Sequence, residues 1–343
     1  MGVAAWYLAL WWWCGVQSSL ALVSNSGGQT SHPALSSSPA SLALRSSPAL
    51  VSAFPKYRGL VTFDLDDCVW PIIPVVSHAN EAVEIAYNLD RNDVQRTMKE
   101  IRVSSQQRGD SPFSYKKARI QTYELLLHSK KHARDCFELW LSARNKAGGD
   151  LLFPDVVPCL EQLVQSGWLV GAITNGLGDP SSIPSLEPHF QFCVSGEDED
   201  VFPHRKPARQ IFEAASLRAR TFGFDADAAL ALAQMQSGPP TLPPSLLSPG
   251  ASPLAWWHVG DDLANDVAGA QALGIKTLLL QRPSLSQQSA QATNRGMNLL
   301  PSAIQNPFST ASPEEMKARD LAAENAKPDL VLSNLLRFCD LVS

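Results

Sequence analysis

Short apolar runs that end in polar residues recur along this chain, separated by stretches with apolar residues at helical spacing. Leu60-Val61-Thr62-Phe63 runs into Asp64, the pattern of a buried strand. Residues 77–146 are mixed in polarity and poor in Gly and Pro, with apolar faces at 123–127 and 137–141, which predicts helices. A helix over 156–165 follows, with Val156, Val157, Leu160, Leu163 and Val164 on one face and Gly167 as its stop. Runs at 169–173, 190–194, 256–259 and 276–280 predict four further strands, and 329–332 a sixth. A helix opening at Pro207, one around 267–273 and a last one over 334–341 fill the gaps.

Strands alternating with helices imply an α/β fold: a doubly wound, Rossmann-like parallel sheet covered on both faces. The helical block after the first strand is too long for a simple crossover, so it is expected to stand off the sheet as an inserted helical cap. The expected organisation is a leader and linker over 1–55, an α/β core over 56–74 and 150–343, and the cap over 75–149. Two stretches rich in Ser, Pro, Gln or Ala, about 236–253 and 282–326, lack either periodicity and are expected to be mobile loops.

At 343 residues with 45% hydrophobic and 18% charged residues, the chain can bury a substantial core. A net charge of -5 gives no general attraction to a nucleic-acid backbone, and no basic arm is present. The six cysteines (Cys14, Cys68, Cys136, Cys159, Cys193 and Cys339) include no C-x-x-C pair, which removes zinc-ribbon and thioredoxin-type readings. They are expected to be free thiols.

No acidic residue occurs before Asp64. The apolar run from Ala4 to Val16 is short for a membrane span and fits the hydrophobic region of a signal peptide; the Ser-, Ala- and Pro-rich stretch after it has the composition of a transit segment. Together they resemble the two-part leaders of algae with secondary plastids. The expected location is the plastid stroma, with secretion as the alternative, and no membrane attachment in the mature form.

Several predicted strand ends carry polar residues, and an open parallel sheet binds its ligands at that rim. They are Phe63-Asp64-Leu65-Asp66-Asp67-Cys68 after the first strand, Thr174-Asn175-Gly176 after the second and Gly260-Asp261-Asp262-Leu263-Ala264-Asn265-Asp266 after the fourth. Lys206-Pro207 opens a helix between them. In this order the set resembles the haloacid dehalogenase-like (HAD) hydrolase superfamily, from about Tyr57 to the last helix. The resemblance implies that Asp64 attacks phosphorus and that Asp66 protonates the leaving oxygen and then activates water. Members that cleave carbon–halogen bonds lack the second Asp, so its presence implies phosphate chemistry. Thr174 and Lys206 match the phosphate-binding and charge-neutralising positions, and Asn175 adds a possible amide donor. Mg2+ is the implied cofactor, held by the Asp64 carboxylate, the Asp66 carbonyl and Asp261; Asp262 and Asp266 are outer partners or water-bridged ligands. Cys68 stands where the family usually has Thr.

Within the superfamily, the stretches around Asp64, Thr174 and Asp261 look like one bacterial group. Its members are phosphatases acting on flavin mononucleotide and on 5-amino-6-(5-phosphoribitylamino)uracil, a riboflavin precursor. The expected partner is thus a small-molecule phosphate ester. A phosphosugar mutase of the same superfamily and a non-catalytic binding protein are the alternatives. His258 reads as a packed core histidine, and His204 and Arg205 as a solvated loop.

Overall fold

A computed structural model describes residues 57–109, 113–226, 229–230, 255–282 and 313–342. The chain divides into two units, Met1–Ser52 and Ala53–Ser343, and every described residue belongs to the second. The leader and the insertion expected over 236–253 lie outside the described residues. Among the described residues, no helix is long and apolar enough to cross a membrane.

Strands β1 (Gly59–Phe63), β2 (Trp168–Thr174), β3 (Phe192–Ser195), β4 (Ala255–Gly260), β5 (Lys276–Leu280) and β6 (Leu330–Leu332) form one parallel sheet in the order β3-β2-β1-β4-β5-β6. Every residue of β1 and β2 is buried, as a sheet covered on both faces requires. Alternation along β1 sends Val61 and Phe63 to one face. There they meet α5 (Val156–Gln165) through Cys159, Leu160 and Leu163, and α8 (Leu335–Val342) through Leu335 and Phe338. Leu60 goes to the other face, against Ile211, Phe212 and Ala215 of α6 (Arg209–Thr221).

Between β1 and α5 lies a helical block of α1 (Ile72–Tyr87), α2 (Arg91–Gln107), α3 (Tyr115–Leu127) and α4 (Lys130–Asp150). It has its own apolar centre of Val76, Ala79, Val83, Tyr123, Cys136, Phe137 and Trp140, which is why it can stand apart from the sheet. Asn80 is spent inside this block, accepting hydrogen bonds from Arg119 (3.2 Å) and from the Trp140 indole (2.9 Å).

Several boundaries differ from the sequence expectation, and β3 begins at Phe192 where 190 was expected. Residues 313–325 fell within a stretch assigned to loop, yet they form a helix, α7 (Pro313–Asn325). Its apolar residues are few, so no helical periodicity marks it; Arg319 instead pairs with Asp262 beside the sheet rim. Pro207 precedes α6 in a turn closed by the Ala208 N–H on Arg205 O (2.7 Å), so the helix opens two residues later than expected. Beyond β4 the chain winds as a π-helical segment, Leu263–Ala268, before a short α-helical turn over Gly269–Gln271. None of the five described cysteines forms a disulfide, and the sulfurs of Cys159 and Cys339 meet at 2.7 Å between α5 and α8.

Candidate active site

The strand register assembles the site. Phe63 lies level with Ala172 on one side and Val259 on the other, so β1, β2 and β4 deliver Asp64, Thr174 and Asp261 to one rim. The Asp64 N–H donates to Val259 O at 2.8 Å, carrying the alignment one residue past the strand end. β1 and β4 flank the point where the strand order reverses, and a crevice opens at such a point.

Lys206 is the hub. Its ammonium, 4% exposed as a residue, donates to Asp64 Oδ1 and to Asp266 Oδ1, each at 2.6 Å. Burial alone would lower the lysine, but the Asp266 and Asp64 carboxylates outweigh it and push it up, so it stays charged. Burial pushes the Asp64 carboxyl up to about 7 against the pull of Lys206, with Asp266 and Asp66 adding to the rise. Asp261 is pushed well above the usual carboxylate range, by burial first and then by Asp266 and Asp64. For Asp266 the balance tips the other way: Lys206 and His258 overcome its burial and hold it low.

Asp66 stands beside this group. Its Oδ1 accepts from the Trp70 indole (2.8 Å) and from Arg144 of α4 (2.6 Å). A Cβ added at Gly176 would lie 2.8 Å from Asp66 Oδ2 and 3.5 Å from Thr174 Oγ1, so the two groups border the same glycine. Thr174 Oγ1 accepts the Gly176 N–H at 3.0 Å, which leaves its own hydroxyl hydrogen for another acceptor. Gly260 answers a similar demand on the opposite strand. A Cβ there would come within 2.2 Å of the Asp266 carboxyl carbon, so only glycine lets that carboxylate lie against the strand end.

Three sequence expectations change. Asn175 is first a support: Nδ2 donates one hydrogen to Lys206 O (3.0 Å) and Oδ1 accepts the Lys206 N–H (2.7 Å), a reciprocal pair that holds the lysine's backbone. Asp262 is spent as a helix cap, its Oδ1 accepting the Ala264 and Asn265 N–H groups at 2.9 Å each, and its other oxygen meets Arg319. Arg205 is no solvated loop residue. It pairs with Glu197 and lies 4.4 Å over the Tyr115 ring. Glu197 also accepts from Ser114 Oγ (2.6 Å) and from the Tyr115 N–H (2.8 Å), tying the start of α3 to the loop beside Lys206.

His258 is buried, as expected, but it is more than packing. Burial lowers its pKa, with Asp266 opposing. Nε2 lies 3.2 Å from an Asp266 carboxylate oxygen and Nδ1 lies 3.0 Å from Thr62 Oγ1, so the ring bridges the two. Thr62 in turn accepts from the Trp256 indole at 3.0 Å. This chain under the rim fixes Asp266, and through it Lys206. The signal available for it was the alternation of β4, which places His258 and Trp256 on the same face of the strand. Cys68 donates only weakly, to Val259 O at 3.8 Å, so the loop after Asp64 is held instead by the Asp67 N–H on Trp70 O (2.7 Å).

Carboxylate oxygens of Asp64, Asp261 and Asp266 come within 4.8 Å of one another. Both oxygens of Asp266 already accept protein hydrogen bonds, from Lys206, His258 and the Asp262 N–H. Among the described residues Asp64 accepts only from Lys206, so the group keeps carboxylate oxygens that could hold a cation.

Residues 204–302 match the HAD-hydrolase-like family model, a span that includes Lys206, Asp261 and Asp266. The 2-haloacid dehalogenase of Pseudomonas syringae pv. Tomato DC3000 superposes with a TM-score of 0.51 at 22% identity, over 83% of this chain and 97% of that one. The fold is that of the HAD hydrolases. YfnB from Bacillus subtilis, bound to magnesium, aligns over 83% of this chain and 98% of its own at 14% identity and a TM-score of 0.43. A HAD phosphatase from Thermococcus onnurineus aligns over the same shares at 14% identity and 0.40. No curated protein sequence matches the chain significantly.

Proposed function

We propose that the protein is a magnesium-dependent phosphomonoesterase acting on a small phosphorylated metabolite, with the phosphoryl group carried transiently on Asp64. The observation behind this reading is the Asp66 carboxylate at the rim, one oxygen anchored by Arg144 and the other against Gly176. A halide leaves without a proton, whereas an alkoxide needs one, and Asp66 is the group in place to give it.

In the first half-reaction the Asp64 carboxylate attacks phosphorus, the ester P–O bond breaks, and Asp66 passes a proton to the departing oxygen. In the second, the Asp66 carboxylate takes a proton from water as that water attacks phosphorus, and Asp64 is released with phosphate. Lys206 keeps a full positive charge against Asp64 throughout, and the Thr174 hydroxyl donates to a phosphoryl oxygen. Magnesium, held by the Asp64 and Asp261 carboxylates with the Asp66 carbonyl, would draw charge from the phosphoryl oxygens. The riboflavin precursor and flavin mononucleotide head the candidate substrates on the strength of the motif wording. The acid-free leader supports a plastid as the place of action.

The test is phosphate release by the chain from about Lys56 onward with magnesium, against a panel that includes those two compounds and sugar phosphates. A hydrolysed panel member supports the reading; a hexose phosphate isomerised without phosphate release would replace it with a mutase. Asp66→Asn should slow turnover by about 10²- to 10⁴-fold, the usual worth of a positioned acid–base group, and let the phosphoenzyme accumulate. Wild-type rates would remove Asp66 from the mechanism.

Cation binding should depend on pH in a defined sense. The Asp64 carboxyl sits at about 7 in the fold against an ordinary value of 3.8. The folded state therefore favours the protonated acid, and the cation-free protein loses stability as pH rises through that window. A cation must displace the proton, so the increase in Tm with magnesium should be larger at about pH 8 than at about pH 5.5. Equal increases at the two values would contradict the assignment of Asp64 as a ligand.

A further inference from the structure

α4 carries a charged residue where its apolar stripe calls for a hydrophobic one. Ala133, Phe137, Trp140 and Ala147 are buried along this stripe, and Arg144 lies between the last two with its side chain 2% exposed. Packing does not account for it. One terminal nitrogen, NH1, is buried with no hydrogen-bond partner among the described residues, and an apolar side chain would fill the same place without that cost.

What the guanidinium does contact is the acid–base group. NH2 donates to Asp66 Oδ1 at 2.6 Å, and the Trp70 indole donates to the same oxygen at 2.8 Å. Two donors on Oδ1 fill its acceptor directions, while Oδ2 lies against Gly176. Gly178 closes the arrangement: a Cβ there would come 2.7 Å from Arg144 NH1 and 2.8 Å from the Trp70 ring, so the loop after Thr174 seals the guanidinium in place.

The geometry points to Arg144 as a positioning residue for proton transfer: with Trp70 it clamps Asp66 by Oδ1 and leaves Oδ2 as the oxygen that carries the proton to and from the ester. This rests on the phosphatase reading and adds to it a residue supplied by the helical block. Arg144 itself touches no reacting atom; it acts through the orientation of Asp66.

Leaving-group dependence tests it. 4-Nitrophenyl phosphate expels a phenolate that needs no proton, whereas glycerol 3-phosphate expels an alkoxide that does. Compared by kcat/KM, which reports transfer to Asp64 and not the hydrolysis of the phosphoenzyme common to both esters, Arg144→Met should lose about 10²-fold on the alkyl ester and less than about 5-fold on the aryl ester. Trp70→Phe, which removes one donor and keeps the ring, should show the same selectivity at smaller size, and Arg144→Lys should recover part of the alkyl-ester rate. In an Asp66→Asn background, Arg144→Met should cost nothing further. Equal losses of kcat/KM on both esters, or full additivity with Asp66→Asn, would overturn the inference and reduce Arg144 to a packing residue. If Asp66→Asn itself shows no preference between the esters, the acid–base reading of Asp66 falls instead. A wild-type chain inert on both esters would sink the phosphatase reading and this inference with it.

Discussion

Lys206→Met should abolish phosphate release and unfold the protein at a temperature about 10 °C lower. The ammonium lies between two buried carboxylates, Asp64 and Asp266, at 2.6 Å from each. Methionine matches its length but leaves two acids facing each other without a counter-charge, and breaking a buried pair in this way costs about 3–5 kcal/mol. In a domain of this size, that loss corresponds to roughly the stated fall in Tm. The pH dependence gives the sign. With the lysine gone, protonation is the remaining route to relieve the repulsion, so the loss in Tm should shrink as pH is lowered from about 8 to about 5. A uniform loss at both pH values would mean that the lysine contributes by packing and not by charge.

Asp64→Asn should lower turnover by at least about 10⁴-fold, since an amide cannot attack phosphorus and no other carboxylate occupies its place. Its effect on stability should have the opposite sign. Burial holds the Asp64 acid up at about 7, so the ionised form is a burden on the fold near neutral pH, which a neutral amide of the same shape relieves. The Asn oxygen can still accept from Lys206. The cation-free variant should therefore melt no lower than wild type at about pH 8, and magnesium should no longer raise its Tm. A folded variant with wild-type turnover would remove Asp64 as nucleophile; a variant that melts far lower would mean the carboxylate is part of the fold's support.

Much of the architecture was legible because both faces of the sheet are buried. β1, β2, β4 and β5 read as apolar runs, and each was expected to within one residue at either end. α7 was not legible. Its contribution is the Arg319–Asp262 pair at the rim, a contact between residues 57 positions apart that leaves no local periodicity. The reduction of the first helical turn after Pro207 has a similar origin, since a turn hydrogen bond and not a side-chain pattern decides where α6 begins.

The candidate site divides along the same line. Asp64, Asp66, Thr174, Lys206 and Asp261 stood out because reactive residue types closed predicted strands or opened a predicted helix, and a parallel sheet gathers such ends at one rim. Asn175 and Asp262 stood out equally but proved to be supports, because a side-chain amide and a carboxylate can bind backbone as readily as a ligand. Arg144 is marked by its place in an apolar stripe, but nothing local says which acid it meets, and a histidine on a buried strand looks alike in sequence whether or not it holds an acid.

By itself, the sequence determined which chemical groups are present and which strand or helix each terminates, since periodicity and turn residues are local properties of the chain. Only the tertiary structure decided how the acids share their charges: Asp266 is taken by Lys206 and His258, Asp262 by a helix start, Asp66 by Arg144. The reason is distance. Electrostatic and hydrogen-bond partnerships form between atoms about 3 Å apart, and residues such as Asp64 and Lys206, separated by 142 positions, reach that range only after the strands have aligned.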